Sequence, residues 1–452
     1  MDDVMKLFET GQWAEFKKQI VDVNAADIAA FLDLLYDEID EPSRERALRI
    51  FRMLPKDLGA EVFAYLDADT QQFIVETASG REIRMLIDDL FIDDVVDFLE
   101  EVPANVVKKV LQNTSEDMRK TINHFLNYPE NSAGSLMTIE MVELHERFTV
   151  HDALNEIRKT GLTKETVYTC YVIDNFRKLT GVVSLKKLIV EREETLVGDI
   201  MQTNVISAHT LDDQETVADS FVKYDLMAMP VVDNENRLVG IITIDDIVDV
   251  IQDENTEDFE KMAAIRPSDE AYLKTEPVTL AKRRILWLMI LMISATITGF
   301  IIHKFESVLS NTLMLAIYIP MLMGTGGNAG SQASTMVIRG IALGEVELSD
   351  AGRILLKEFK VSLMVGLALS TVCFLKAIVL DGATPLTALV VSLSMYGTVI
   401  VAKAVGCLLP LFAKSIKLDP ALMASPMIST IVDACSLLIY FSLASSILGI
   451  VA

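Results

Sequence analysis

The chain has 452 residues, about half of them apolar, and a formal net charge of −25; that length suffices for about three domains. The charge is lopsided: 57 of its 65 Asp and Glu and 28 of its 40 Lys and Arg precede residue 281, leaving −29 before that point and +4 after it. Such a field repels nucleic acid and attracts cations, while four Cys without paired spacing and five His without HExxH spacing argue against a disulfide scaffold and against zinc chemistry.

The opening Met1-Asp2-Asp3-Val4 has the wrong charge for a signal peptide and no apolar core follows it, so the N-terminus is expected in the cytosol. Residues 1–130 read as short amphipathic helices, with apolar positions recurring at three and four through Phe51, Leu54, Val62, Leu66 and Phe73. Pro55 and Pro103 sit at two related helix starts, where proline in the first turn is tolerated. Stacked helix pairs of the solenoid type fit this region.

An internal repeat fills residues 131–252. Ser135-Leu136-Met137-Thr138 returns as Asp199-Ile200-Met201-Gln202, and Val172-Ile173-Asp174-Asn175 as Val231-Val232-Asp233-Asn234. Leu179-Thr180-Gly181-Val182-Val183-Ser184 returns as Leu238-Val239-Gly240-Ile241-Ile242-Thr243. Each copy reads as strand, helix, strand, turn, strand, helix, the Asp-Asn pairs being turn chemistry between β-branched runs. The pattern resembles a tandem pair of CBS domains (131–195 and 196–252), which implies an α/β pair with a cleft for nucleotides or ions. A charged, partly helical connector (253–280) is expected next, with Pro267 and Pro277 as breakers.

Five apolar segments follow, near 285–302, 312–338, 361–380, 388–412 and 423–451. Each is long enough for a hydrocarbon core of about 30 Å. Nine basic residues (Lys282, Arg283, Arg284, Arg339, Arg353, Lys357, Lys360, Lys414, Lys417) fall on one face, against Lys304 and Lys376 on the other. The richer face is expected in the cytosol and the C-terminus outside. The fold class is therefore multidomain: a helical solenoid-like N-domain, an α/β CBS pair, a connector helix and a five-helix transmembrane domain over 281–452.

Asp433 is the sharpest single signal, the one charged side chain between Asp419 and the end. A carboxylate near the bilayer centre costs several kcal/mol unless it meets water, a partner or an ion. Ser425, Pro426, Ser429 and Thr430 stand nearby as sources of oxygen, Pro426 by freeing the carbonyl four residues earlier. The run from Gly324 to Gln332 in the second segment permits close helix contact or irregular backbone around a pore. Lys403, inside the fourth segment, has no assigned role. Oxygen donors alone suit a hard cation, without choosing Mg²⁺ over Ca²⁺ or Mn²⁺. In the acidic half, Asp93, Asp94 and Asp97, then Asp245, Asp246 and Asp249, then Glu254, Glu257 and Asp258 form clusters expected to share divalent ions. No nucleophile–base pair or P-loop indicates an enzyme. A membrane-anchored nucleotide sensor and a proton-coupled exchanger are the rival classes.

Domain order, Gly324-Thr325-Gly326-Gly327-Asn328, Leu418-Asp419-Pro420-Ala421-Leu422 and Asp433 before Leu437-Leu438-Ile439-Tyr440 resemble the MgtE family of magnesium channels over essentially the whole chain. The resemblance implies a homodimer in the cell membrane, Mg²⁺ as substrate and regulator, and a pore lined by the second and fifth spans. Asp433 would hold a hydrated Mg²⁺ there, with Asn328, Ser425 and Ser429 nearby. It also implies cytosolic magnesium sites: Glu61 with the Gly134 carbonyl and Asp213; Asp93 and Asp97 with Asp246 and Asp249; Asp225 with Asp249; Glu215 with Glu254 and Asp419; and Glu257 and Asp258 on the connector. Mg²⁺ on these sites would close the pore. Ser331 and Ser425 stand where the family carries Asn, and Lys187 replaces an Asp kept in the second repeat, so that ATP, a further implied ligand, is expected near Thr243 and Asp246.

Overall fold

The computed structural model describes residues 6–8, 10–37, 41–268, 272–273, 275–312, 314–423 and 425–449, with the side chains of residues 41, 311, 423 and 425 also set aside. The opening Met1-Asp2-Asp3-Val4 and the predicted end of the last span lie outside the described residues. The chain divides into two compact units, Met1–Ile251 and Gln252–Ala452.

In the first unit, short helices stack around a continuous apolar core that includes Phe16, Ile28, Phe63, Val75, Ile83 and Phe98. Helix α1 (Lys56–Ala64) begins just after Pro55, and a later helix just after Pro103, so each proline occupies the cap position rather than the first turn. Helix α2 (Ile92–Glu101) buries Val95, Val96, Phe98 and Leu99 on one face. The apolar spacing that forms it leaves Asp93, Asp94 and Asp97 to be placed by what α2 packs against.

The repeat folds twice alike. After the short α3 (Ala133–Leu136), the first copy forms β1 (Glu143–His145), a helix over Val150–Thr160, β2 (Thr169–Ile173), β3 (Leu179–Ser184) and α4 (Leu185–Val190). The second forms β4 (Ala208–His209), α5 (Gln214–Tyr224), β5 (Ala228–Val232), β6 (Leu238–Thr243) and α6 (Ile244–Met262). In each sheet the middle strand pairs parallel with the first and antiparallel with the third. Asp174 Oδ1 accepts from the amides of Phe176 and Lys178 at 2.7 and 2.9 Å, and Asp233 Oδ1 from those of Glu235 and Arg237 at 2.8 and 2.9 Å. The same side chain thus closes both hairpins.

The copies also exchange edges. Thr138 pairs with Ile241 by two backbone bonds of 2.8 Å, and Gln202 with Val182 by bonds of 2.8 and 3.0 Å. The start of each repeat completes the sheet of the other. This approach needs glycine: a Cβ on Gly240 would lie 2.6 Å from the Thr138 carbonyl oxygen, and one on Gly181 3.1 Å from that of Gln202.

In the second unit, α6 runs on to Met262, and the described residues between it and Pro277 are non-helical. Pro277 opens the next helix instead of breaking the connector, as suits its missing amide. The long helices are α7 (Pro277–Lys304), α8 (Met314–Ala342), α9 (Ala351–Val379), α10 (Pro385–Ser415) and α11 (Ser425–Leu448). Among the described residues, four helices are long and apolar enough to cross a membrane: Pro277–Lys304, Leu348–Val379, Pro385–Ser415 and Pro426–Leu448. Helix α8 has the length, 29 residues, but its run of glycine, serine and asparagine dilutes its apolarity. It lies inside, packed on α10 and α11, whereas Phe300 of α7 is 74% exposed and Leu286 65%. A continuous apolar exterior of this kind needs a covering that water does not supply.

Glycine sets the closeness of the inner helices. A Cβ on Gly406 of α10 would sit 2.2 Å from the Gly330 carbonyl oxygen of α8, and one on Gly326 2.8 Å from Val432 of α11. Lys403, left without a role by the sequence, is buried on α10 and ion-paired at 3.2 Å with Glu358 of α9. Cys170, Cys373 and Cys407 are buried, Cys435 is half-buried, and all four are free thiols.

Candidate ion pathway and carboxylate clusters

Asp433 lies eight residues into α11, about 12 Å along the helix axis. It is half-buried and makes no hydrogen bond or ion pair with any described residue. Ser429, one turn earlier, is half-buried against α8, its hydroxyl 3.1 Å from where a Gly327 Cβ would stand. Asn328 of α8 is exposed. The Thr430 hydroxyl donates to the Pro426 carbonyl at 3.1 Å and is taken up within its helix. The Ser425 side chain lies outside the described residues. Because α11 starts at Ser425, Pro426 falls in its first turn and breaks no internal hydrogen bond; the expectation that it frees a carbonyl within the helix is corrected.

The largest gathering of acids is in the first unit. Asp93 is buried, its Oδ1 accepting from the Asp94 amide at 3.0 Å. Burial, then the charges of Asp94, Asp246 and Glu165, holds its proton affinity well above the usual carboxylate range. Burial and the charges of Asp246 and Asp245 push Asp94 to about 7. Burial with Asp246 and Asp94 pushes Asp97 to about 8, although Asp97 keeps solvent access that tempers the effect. Asp246 is raised to about 6, burial first, against the lowering hydrogen bond from the Thr243 hydroxyl. The structure therefore gathers the predicted Asp93, Asp97 and Asp246, while Asp249 is exposed and acts only as a neighbour of Asp246.

Sequence reasoning missed Glu165 and Glu140. Glu165 is pushed to about 7 by burial and by Asp245, Asp94 and Asp246, and its Oε2 is buried with no hydrogen-bond partner. Glu140 adds its charge while accepting from the Thr138 hydroxyl at 2.5 Å. Among the described residues, no three His, Cys, Asp or Glu side chains converge in metal-ligand geometry. The acids share one region without meeting at a point.

The other predicted sets are spread. Gly134 and Asp213 come together: the Gly134 amide donates to Thr210 at 2.9 Å and Ser132 pairs with Asp213. Asp213 caps α5 by accepting from the Glu215 amide at 3.1 Å. Glu61 is exposed on α1 and pairs with neither. Asp225 is the left-handed C-cap of α5. Glu215 belongs to the first unit, Glu254 and Asp419 to the second. In the second unit, Glu257 and Asp419 meet through Lys261, whose Nζ lies 2.8 and 2.7 Å from them, with Asp258 half-buried beside them. Lys261 was also missed, though the four-residue spacing from Glu257 is a readable helical ion pair.

A cavity of about 540 Å³ opens in the CBS pair, lined among others by Tyr171, Ser184, Lys187, Gln202, Asn204 and Asp225. Both repeats line it. At Thr243 and Asp246, where a ligand was expected, Asp246 Oδ2 accepts from the Thr243 hydroxyl and amide at 2.8 and 3.4 Å, and the charges of α2 crowd in. The open space has Ser184 and Lys187 on one side and Asn204 and Asp225 on the other.

Residues 319–443 match the family described as a divalent cation transporter, MgtE; residues 23–131 match its intracellular N domain, and 133–194 and 197–253 match CBS domains. The magnesium transporter MgtE of Thermus thermophilus is 36% identical over 98% of both chains. The chain belongs to the MgtE family. The MgtE of Bacillus subtilis is 32% identical over 98% of this chain and 96% of its own. Among solved structures, the cytosolic domain of the Mg²⁺ channel MgtE in complex with ATP is 33% identical, with a TM-score of 0.50, covering 55% of this chain and 98% of that one. The soluble part of a magnesium transporter is 30% identical, with a TM-score of 0.51, covering 56% and 96%. MgtE relatives thus match the chain from end to end.

Proposed function

We propose that the protein carries Mg²⁺ across the cell membrane as a homodimer, through a path lined by α8 and α11. The observation that carries the reading is Asp433, a half-buried carboxylate without a partner among the described residues, on a helix with no other charged side chain. Such a group is tolerated at membrane depth when it faces water or an ion. Asn328 and Ser429 add neutral oxygen donors suited to the water shell of a hard cation that dehydrates reluctantly. Helix α8 would count as the fifth span, admitted despite its polar run because other helices surround it. The nine basic residues on one face support a cytosolic place for that face and for the N-terminus, with the C-terminus outside.

The acidic first unit would act as the sensor. Cations binding among Asp93, Asp94, Asp97, Asp246 and Glu165 offset the repulsion that burial amplifies, and so favour the compact arrangement in which these groups are close. A ligand shifts such an equilibrium only by its differential affinity for the two states; taking it from mostly open to mostly closed needs about 5.5 kcal/mol, within reach of several weak sites together. The cavity beside Ser184 and Lys187 is the place for ATP, the ligand named for the cytosolic domain of an MgtE relative.

Mg²⁺ entry into liposomes holding the purified protein, with internal Mg²⁺ varied, tests the reading. Flux is expected at low internal Mg²⁺ and suppression at high. Vesicles as Mg²⁺-tight with the protein as without it, under depleted internal Mg²⁺, would sink it.

A further inference from the structure

The connector part of α6 and the loop before α11 lie in one unit, and a side chain of the protein already joins them. Lys261 stands one turn after Glu257 and places its ammonium 2.8 Å from Glu257 Oε1 and 2.7 Å from Asp419 Oδ2. Its side chain is 21% exposed. Asp419 is fully engaged, because its Oδ1 accepts from the Ala421 amide at 2.8 Å. Asp258 lies within the field of both Asp419 and Lys261. Three carboxylates about one ammonium leave two negative charges uncompensated, so the place still attracts cations. A divalent ion cannot bridge Glu257 and Asp419 through these oxygens while the ammonium holds them.

We propose that Lys261 is a tethered cation that competes with Mg²⁺ for Glu257 and Asp419 and so sets the Mg²⁺ concentration at which the connector is clamped to the loop before α11. The inference rests on the feedback reading above and adds to it the residue that tunes the threshold. The ammonium has the advantage of its tether, which gives it a high effective concentration. Mg²⁺ has the second charge, set against water that it sheds reluctantly. Lys261 touches the acids rather than the transported ion, so it is a positioning residue.

The test uses the full-length protein in nanodiscs and in liposomes. Mg²⁺ is titrated while chymotryptic cleavage after Tyr272, an exposed residue between α6 and α7, is followed; suppression of Mg²⁺ flux is measured in parallel. In Lys261→Met the midpoint for both is expected to fall roughly threefold to tenfold, the scale of two partly exposed ion pairs. Lys261→Arg keeps a tethered cation and is expected within about twofold of the wild type. If Lys261 is instead a plain structural clamp, its loss loosens the connector and the midpoint rises. A risen or unmoved midpoint in Lys261→Met, beside a wild type whose cleavage does respond to Mg²⁺, overturns the role of Lys261 alone. Wild-type cleavage and flux that both ignore internal Mg²⁺ overturn the feedback reading and this inference together.

Discussion

The two units treat charge in opposite ways. The first crowds its acids: burial raises the proton affinity of Asp93, Asp94, Asp246 and Glu165, their charges raise one another's further, and Asp97 joins them from a position that keeps solvent access. The second keeps charges scarce within its long helices, pairing Lys403 with Glu358 on α10 and α9 and leaving Asp433 without a partner among the described residues. Crowding makes a region responsive to the concentration of cations. Isolation makes a single group available to one ion at a time. A sensor needs the former property and a conduction path the latter.

The contrast breaks first at Asp433. Asp433→Ala is expected to reduce Mg²⁺ flux in liposomes to background, while the purified protein keeps its fold by circular dichroism; normal flux would remove Asp433 from the pathway. The paired charge gives the next largest effect. Lys403→Met leaves Glu358 buried alone and is expected to lower unfolding stability in detergent by about 3 kcal/mol. The double variant Lys403→Met, Glu358→Met should recover most of that loss, and a double variant as unstable as the single one would deny the pairing its role. Gly406→Ala comes third. Its methyl would meet the Gly330 backbone, and a cost of about 1–3 kcal/mol is expected from overpacking.

The smallest effect is the pH dependence of the crowded unit. Asp94, Asp97, Glu165 and Asp246 have folded-state values raised to about 7, 8, 7 and 6. The folded state therefore binds more protons than the unfolded state between about pH 4 and 8, and stability falls as pH rises through that window. Without divalent cations, calorimetry of the first transition should show a melting temperature lower by roughly 5 °C at pH 8 than at pH 5.5. Millimolar Mg²⁺ should recover it at pH 8 and do little at pH 5.5. A transition indifferent to both would dissolve the contrast between the units.

Much of this was legible because each signal stood against a uniform background. A lone Asp in an apolar stretch is conspicuous, and so is a hairpin aspartate recurring as Asp174 and Asp233. The glycines at 181 and 240 recur because both edges cross another backbone. What the sequence concealed depends on distant segments meeting. Glu165 and Glu140 are far along the chain from α2, and only tertiary packing brings them to Asp94. Which of two matching hydroxyls, Thr243 or Ser184, lines the open cavity could not be read from the repeat alone. The difference lies in Asp246, which turns back to cap its helix, where the first repeat has Lys187. Pro277 and Pro426 were misplaced by a few residues, since proline marks a helix boundary without telling on which side of it the chain turns helical.

The exchanged edges of the two repeats have a mechanical corollary. Thr138 hydrogen-bonds to Ile241 and Gln202 to Val182, so neither half of the tandem retains a complete sheet when the other is pulled away. Under an applied load the pair should rupture in a single event rather than in two steps, and force arriving at one half is passed on whole to the other.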